Sequence, residues 1–389
     1  MMLRSFLPVG QGAFYLERFE TKGERINVVY DCGSLTNVKI VEKEIRSNFS
    51  KGEKIEIVFI SHVDQDHING LEYLLKYCKV RNIVFPYTNR EGKIALTVDY
   101  FCNNNNPSYD DFTCEFINNP YNALRRYDSD ARLWVVSDEY DNNESNDRDY
   151  YNEKEEFKII RSGENLVEYL IDNRIISKIE WEYIPFNFRE DNRKKQFFDE
   201  LDNNLRDMGL SLDQIGIYNI LKQWTKPNIQ KAIIDAYKKV KGSLNTNSMV
   251  LFSGIRDNNI HQCRIEPYDR FYYCCHKCID CYDCYLRKNG CLYTGDYEAD
   301  GKFKWSELKN AYSRYWEYIG CVQIPHHGSY RNYNQEFALL DAYFVISAGF
   351  KNKWRHPSGS VIKDLLSKNK YPLIVTEHHN SEVILKVDI

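Results

Sequence analysis

The sequence predicts an α/β protein, and three observations carry that expectation. Strand-like and helix-like stretches alternate through the first hundred residues, short apolar strands return from Ser248 onward, and the stretch between differs in composition from both. The chain has 389 residues, 43% of them hydrophobic, which is ample for a buried core. That length exceeds what one ordinary core needs, so one large domain with insertions and two domains both fit.

Taken in order, Phe14 to Phe19 and Ile26 to Tyr30 read as strands, the second ending at Asp31-Cys32-Gly33. Val38 to Asn48 has helical spacing, Ile55 to Ile60 is an apolar strand, Leu71 to Cys78 a helix, and Val80 to Pro86 a strand. Residues 1–100 are thus the first half of a layered domain. Residues 101–243 read as an insertion of polar loops and then helices. Asn103-Asn104-Asn105-Asn106-Pro107 and Asp141 to Asp149 are too polar to bury much. Phe197, Leu201 and Leu205, then Ile229, Ile233 and Tyr237 after Pro227, recur at helical spacing. Residues 244–389 supply the second half, with strands at Ser248 to Ser253, Cys291 to Asp296, Val322 to Pro325 and Tyr343 to Ala348, then a helix and two closing strands. No repeat of solenoid length interrupts this order.

Chemistry is concentrated directly after the strand at Ile55. His62-Val63-Asp64-Gln65-Asp66-His67 places two imidazoles and two carboxylates within six residues. Alternate residues of an extended segment point the same way, so His62 and Asp64 can share one metal while Asp66 and His67 turn toward a second. A lone His-x-Asp is an ordinary polar loop, whereas four ligand types in six residues point to metal binding. The mixture of nitrogen and oxygen donors suits two divalent cations, Zn or Mn. Downstream, Asp296 ends an apolar strand through Gly295, which can project its carboxylate past a sheet edge to touch both metals. His326-His327-Gly328-Ser329 follows a strand, and adjacent histidines on an extended chain face opposite sides, one to a metal and one to a substrate. His356-Pro357 is a further histidine in loop sequence.

Composition excludes some partners. With 52 basic and 56 acidic residues the formal charge is −4, so no global field recruits nucleic acid and an anionic substrate has to be captured locally. No apolar stretch approaches the roughly 20 residues of a membrane helix, and Met1 to Phe6 runs into a strand-like segment without a signal-peptide core. A soluble, cytoplasmic protein without membrane partners is expected. The 30 tyrosines carry no functional reading.

Together these residues resemble the metallo-β-lactamase fold hydrolases, and within them the branch holding the ComEC-type domain of bacterial DNA-uptake channels and the pneumococcal phosphorylcholine esterase. The resemblance rests on Val9-Gly10-Gln11-Gly12, Asp31-Cys32-Gly33, His62-x-Asp64-x-Asp66-His67, Asn247-Ser248, Thr294-Gly295-Asp296, Pro325-His326-His327-Gly328-Ser329 and His356-Pro357. It covers roughly residues 1–100 and 244–389. It implies an αββα sandwich carrying a helical and loop insertion and a small cysteine-rich one. It also implies a dinuclear site in which His62, Asp64 and His326 hold one metal, Asp66, His67 and His356 the other, and Asp296 bridges. A metal-bridging hydroxide would attack a phosphodiester, with Asp66 and His327 in catalytic roles, His327 facing substrate as phosphate ligand or proton donor, and Asp31 orienting a ligand imidazole. The sequence departs from the DNA-uptake branch at Ala13, where an acidic residue is expected, and in the unmatched middle, where this fold often carries substrate-covering elements.

Seven of the 12 cysteines crowd one stretch: Cys263, Cys274, Cys275, Cys278, Cys281, Cys284 and Cys291. Cys275, Cys278, Cys281 and Cys284, within a cysteine-rich insertion at 257–291, have the spacing of a structural zinc site. An iron–sulfur cluster and free or disulfide-linked cysteines are the alternatives.

Tyr330, Arg331, Lys351, Lys353, Trp354 and Arg355 flank the late histidines, and Arg331, Lys353 and Arg355 are candidate substrate-binding cations. The first functional expectation is a phosphodiesterase or nuclease acting on DNA or RNA. The alternatives are a hydrolase of a small phosphodiester, a cyclic nucleotide or phosphocholine ester, and a subunit of a bacterial defence assembly that meets protein partners through the insertions. β-Lactam hydrolysis is not expected, because Asp64 and the missing secretory segment point away from it.

Overall fold

The computed structural model describes residues 1–21, 24–104, 107–127, 129–137, 157–169, 181–188, 193–212, 216–240, 244, 248–255, 264–267 and 288–388. Of the cysteine-rich insertion at 257–291, residues 264–267 and 288–291 are described, and the proposed zinc ligands Cys275, Cys278, Cys281 and Cys284 lie outside the described residues.

The strands are β1 (Met2–Phe6), β2 (Phe14–Thr21), β3 (Glu24–Cys32), β4 (Lys54–Ile55), β5 (Ile57–Phe59), β6 (Lys79–Val80), β7 (Asn82–Pro86), β8 (Arg132–Ser137), β9 (Phe157–Arg161), β10 (Trp181–Phe186), β11 (Val250–Ile255), β12 (Arg264–Pro267), β13 (Gly290–Tyr293), β14 (Ile319–Gln323), β15 (Tyr343–Ser347), β16 (Pro372–Val375) and β17 (Val383–Asp388). Among the described residues they form a nine-stranded sheet in the order β12-β17-β1-β2-β3-β5-β7-β8-β9, a six-stranded sheet in the order β10-β11-β13-β14-β15-β16, and the small β4-β6 pair. From β3 to β9 and from β13 to β16 the neighbours run parallel. Strands of a parallel run end at the same edge, which is where loops of an α/β sheet gather a site.

Phe6, Tyr15, Tyr30, Phe59 and Trp134 of the first sheet pack against Tyr183, Leu251, Tyr293 and Val345 of the second. The outer face of the first sheet is covered by helices α1 (Val38–Asn48) and α3 (Leu71–Tyr77), that of the second by α10 (Lys302–Ala311) and α11 (Gly359–Ser367). This is the αββα sandwich that the resemblance implies. Helix α1 starts as its sequence requires, with the Asn37 side chain accepting from the Lys39 amide and Val41 and Ile45 facing inward. The short α2 (Gln65–Ile68) carries part of the metal motif.

The span read as polar loops holds more order than expected. Helices α4 (Arg90–Asn103), α5 (Phe112–Asn118) and α6 (Pro120–Arg125) precede β8, and β8 and β9 extend the first sheet while β10 begins the second. The asparagine-rich flanks masked an apolar centre, since Leu133, Trp134, Val135 and Val136 are all buried. The expected helices are present as α7 (Arg193–Arg206), α8 (Ile217–Leu221) and α9 (Pro227–Lys239), and they share a separate core with α4 through Ile94, Val98, Phe197, Leu201 and Ile233. No helix among the described residues is long and apolar enough to cross a membrane.

Candidate metal centre

The first half of the site is built on Ser61. Its carbonyl accepts from the Met249 amide at 2.8 Å, while the preceding Ile60 amide donates to Val84, so this turn is tied to both halves of the sandwich. Asp31, at the end of β3 with φ of 56°, accepts from the Ser61 amide and the Ser61 hydroxyl, each at 2.7 Å. Its Oδ2 also lies 2.8 Å from Nδ1 of His67. Because the Ser61 proton goes to Asp31, the Ser61 oxygen 2.9 Å from His62 Nδ1 accepts from that ring. Both imidazoles therefore carry Nδ1 protons and turn Nε2 toward the same space.

Helix α2 sits against the Asp31-Cys32-Gly33 loop because residue 33 has no side chain. A Cβ there would meet Asp66 C and His67 N, both at 2.6 Å. The Asp66 carbonyl accepts from Ala13 N, and the Ala13 carbonyl accepts from Gly33 N, each at 2.9 Å, so the Gly10-Gln11-Gly12 loop braces the same turn.

The second half hangs from β13 and β14. Gln323 accepts from the amides of Thr294 and Gly295, both at 2.8 Å, and donates to the carbonyls of Gly295 and Ile324. Ser248 Oγ accepts from the Asp296 amide at 3.0 Å. These contacts fix Asp296 with Oδ1 3.3 Å from His67 Nε2 and Oδ2 3.7 Å from His62 Nε2 and 3.5 Å from His326 Nε2. Neither Gln323 nor Ser61 stood out in the sequence, since a buried Gln or Ser lacks a ligand signature.

His326 and His327 are not extended as expected. Both lie in the left-handed region, with φ of 47° and 55°, in a tight turn. His327 donates from Nδ1 to the Ser347 carbonyl at 2.8 Å and sets Nε2 3.0 Å from Asp66 Oδ2. The residue expected to face substrate is thus aimed at the motif carboxylate. Asp64 reaches within 3.6 Å of His62 Nε2 and stays partly exposed. The His356 ring is 5.7 Å from that of His326, and its backbone is held by Asn352. Burial, with His326 and His327 nearby, pushes His356 down to about 4.

Among the described residues, two groups bring ligand atoms within 4.8 Å of one another, His62 with His67 and Asp296, and Asp66 with His67 and His327. His62 Nε2, His67 Nε2 and Asp296 Oδ1 are buried without a hydrogen-bond partner. Three converging orphaned atoms, two nitrogens and an oxygen, fit a borderline divalent cation. The electrostatics agree. Burial opposes charge on His67, yet Asp296, Asp31 and Asp66 hold its pKa well above the usual imidazole range. Burial likewise opposes charge on Asp66 and Asp296. His67 and His327 nevertheless pull Asp66 to about 2, and His326, His67 and His62 hold Asp296 well below the carboxylate range. The carboxylates demand positive charge at this point.

Above the two groups opens a cavity of about 680 Å³ whose lining includes Asp64, Asp66, Asp296 and His326. Lys353 lines it together with Lys351 and Trp354, while Arg331 and Arg355 are not part of the lining. Arg331 instead lies over the Tyr330 ring and donates to its hydroxyl. The lining also includes Asp99, Tyr100, Asn103 and Asn104, with Tyr237 of α9.

No curated protein matches the chain. A crystal structure of unliganded yeast PDE1 aligns with 99% of this chain and 99% of its own, at 9% identity and a TM-score of 0.39. Residues 8–137, which run through β8 and contain the whole His62 to His67 segment, match the family model of the metallo-beta-lactamase superfamily.

Proposed function

We propose that the chain is a dinuclear metal-dependent phosphodiesterase. The observation that carries this reading is the meeting of His62 Nε2, His67 Nε2 and Asp296 Oδ1, all buried and unpartnered, below an open cavity. His62, Asp64, Asp296 and His326 would hold one cation. Asp66 and His67, with Asp296 shared, would hold the other, and His327 keeps its Nε2 beside Asp66 Oδ2. Nitrogen and oxygen donors in this mixture suit Zn or Mn.

Two such cations, when bound, supply an activated water and polarise a phosphoryl oxygen. The protein's own groups do the rest. Asp31 keeps the Nδ1 proton on His67 and thereby fixes its orientation. Asp66 Oδ2 takes the proton of the attacking water, and His327, with Nδ1 held by Ser347, returns a proton to the departing oxygen from Nε2. Lys351 and Lys353 supply the local cations that the net charge withholds.

The test is metal analysis of the wild type and Asp296→Ala together with hydrolysis of bis(p-nitrophenyl) phosphate in Mn(II) or Zn(II). The wild type should carry two ions at this centre and a further one if the cysteine cluster holds zinc. Asp296→Ala should lose the pair and the activity while keeping any thiolate-bound ion. Unchanged metal content in the variant, or a fully loaded wild type inert toward every phosphodiester, would overturn the proposal.

A further inference from the structure

Which phosphodiester enters is decided by what else lines the cavity above the metal groups. The insertion helices supply that wall. The buried Asp99 carboxylate of α4 accepts from the Tyr237 hydroxyl of α9 at 2.8 Å and from Asn103 Nδ2 at 3.0 Å, so the two helices are clasped to one another at the cavity edge. Asn104 is tied to the Tyr100 carbonyl at 2.7 Å. The wall is therefore preset, and it lines an open cavity of about 680 Å³.

Two charge arguments narrow the ligand. A nucleic-acid strand needs a track of cations along its backbone, yet this cavity offers Lys351 and Lys353 against Asp99 and Glu377, apart from the metal carboxylates. A quaternary ammonium of the choline type needs an aromatic face free of positive charge, but Lys353 Nζ sits 4.5 Å over the Trp354 ring. A flat uncharged ring needs no track of cations and is not repelled by the Lys353 ammonium. It can stack on the part of Trp354 that Lys353 leaves open, the residue being 45% exposed, while Asn103 and Asn104 of the same lining offer polar edges.

We infer that the site takes a small phosphodiester bearing a single uncharged heterocycle, of the nucleoside type, with the insertion helices α4 and α9 as the selecting wall and Trp354 as the stacking shelf. This rests on the phosphodiesterase reading above.

The experiment compares the Mn(II)-loaded full chain on a cyclic nucleoside monophosphate, glycerophosphocholine and a long single-stranded oligonucleotide. The cyclic nucleotide should have the highest kcat/KM. Trp354→Ala should raise its KM about fivefold or more, the loss of one base stack, with the effect falling on KM and not on kcat. Trp354→Phe should restore most of it. Calorimetric binding of a nucleoside monophosphate to the loaded protein should weaken by a similar factor in Trp354→Ala. Preference for the oligonucleotide or the choline ester, or unchanged nucleotide binding in Trp354→Ala, overturns the inference while leaving the phosphodiesterase reading standing. Absence of hydrolysis on all three and on bis(p-nitrophenyl) phosphate removes that reading and this inference together.

Discussion

His67 Nδ1 lies 2.8 Å from Oδ2 of the fully buried Asp31, and this contact decides what the other nitrogen of the ring can do. With Nδ1 protonated and pinned, Nε2 is turned to Asp296 and is free to bind a cation. Asp31→Asn should keep much of the packing and lose this control, lowering metal affinity by about 10- to 100-fold. Metal content after gel filtration in dilute chelator, measured beside wild type, checks it. Retention of the full complement would show that Asp31 does not orient the ring.

Gly33→Ala places a methyl group 2.6 Å from backbone atoms of Asp66 and His67, which cannot rotate away. Helix α2 must shift, and the ligand atoms with it. Activity should fall at least tenfold with a stability loss of about 1–3 kcal/mol. A denaturant melt and a metal titration on the same sample separate the two effects.

Gln323→Leu removes the acceptor of two backbone amides and the donor to two carbonyls in a buried bend. Leaving those groups unpaired should cost about 3 kcal/mol or more and let Asp296 drift. Gln323→Glu retains the acceptor and should lose less. A variant with wild-type Tm and wild-type metal affinity would refute this role.

Lys93 is held by burial at about 8, below the usual lysine range. Because the folded pKa lies below the unfolded one, the unfolded chain binds the extra proton between about pH 8 and the ordinary lysine value, so stability rises with pH across that window. The penalty is complete below about 8. Lys93→Met should therefore stabilise the chelator-treated protein by about 1–3 kcal/mol at pH 7 and by much less at pH 10. Urea unfolding at the two pH values reads the difference. An equal gain at both would mean that packing and not charge is responsible.

The sandwich was legible because its strands are apolar runs punctuated by Gly, Pro and Asp, and Val38–Asn48 forms the expected helix between the expected limits. The candidate ligands were legible because His and Asp at such close spacing have few other uses. What could not be read was the support beneath them. Ser61, Gln323 and Ser248 act through hydrogen bonds made across the fold, and nothing local in the sequence points to such partners. The turn at His326 and His327 escaped because two successive left-handed histidines contradict local preference and are imposed by tertiary contacts at Ser347 and Gly295. Strand β8 escaped because its polar neighbours outweighed five buried residues.

His67 and Asp296 meet although more than half the chain lies between them. The ends of that long excursion are fixed by the sandwich, so its length has little energetic leverage. Doubling a flexible loop costs only about 0.6 kcal/mol. Helices α4 and α7 to α9 pack on a core of their own, so changes confined to that core are expected to leave His67 and Asp296 in place. The chemistry and the choice of what it acts on can change separately in such a chain, one under the constraint of ångström geometry and the other almost free of it.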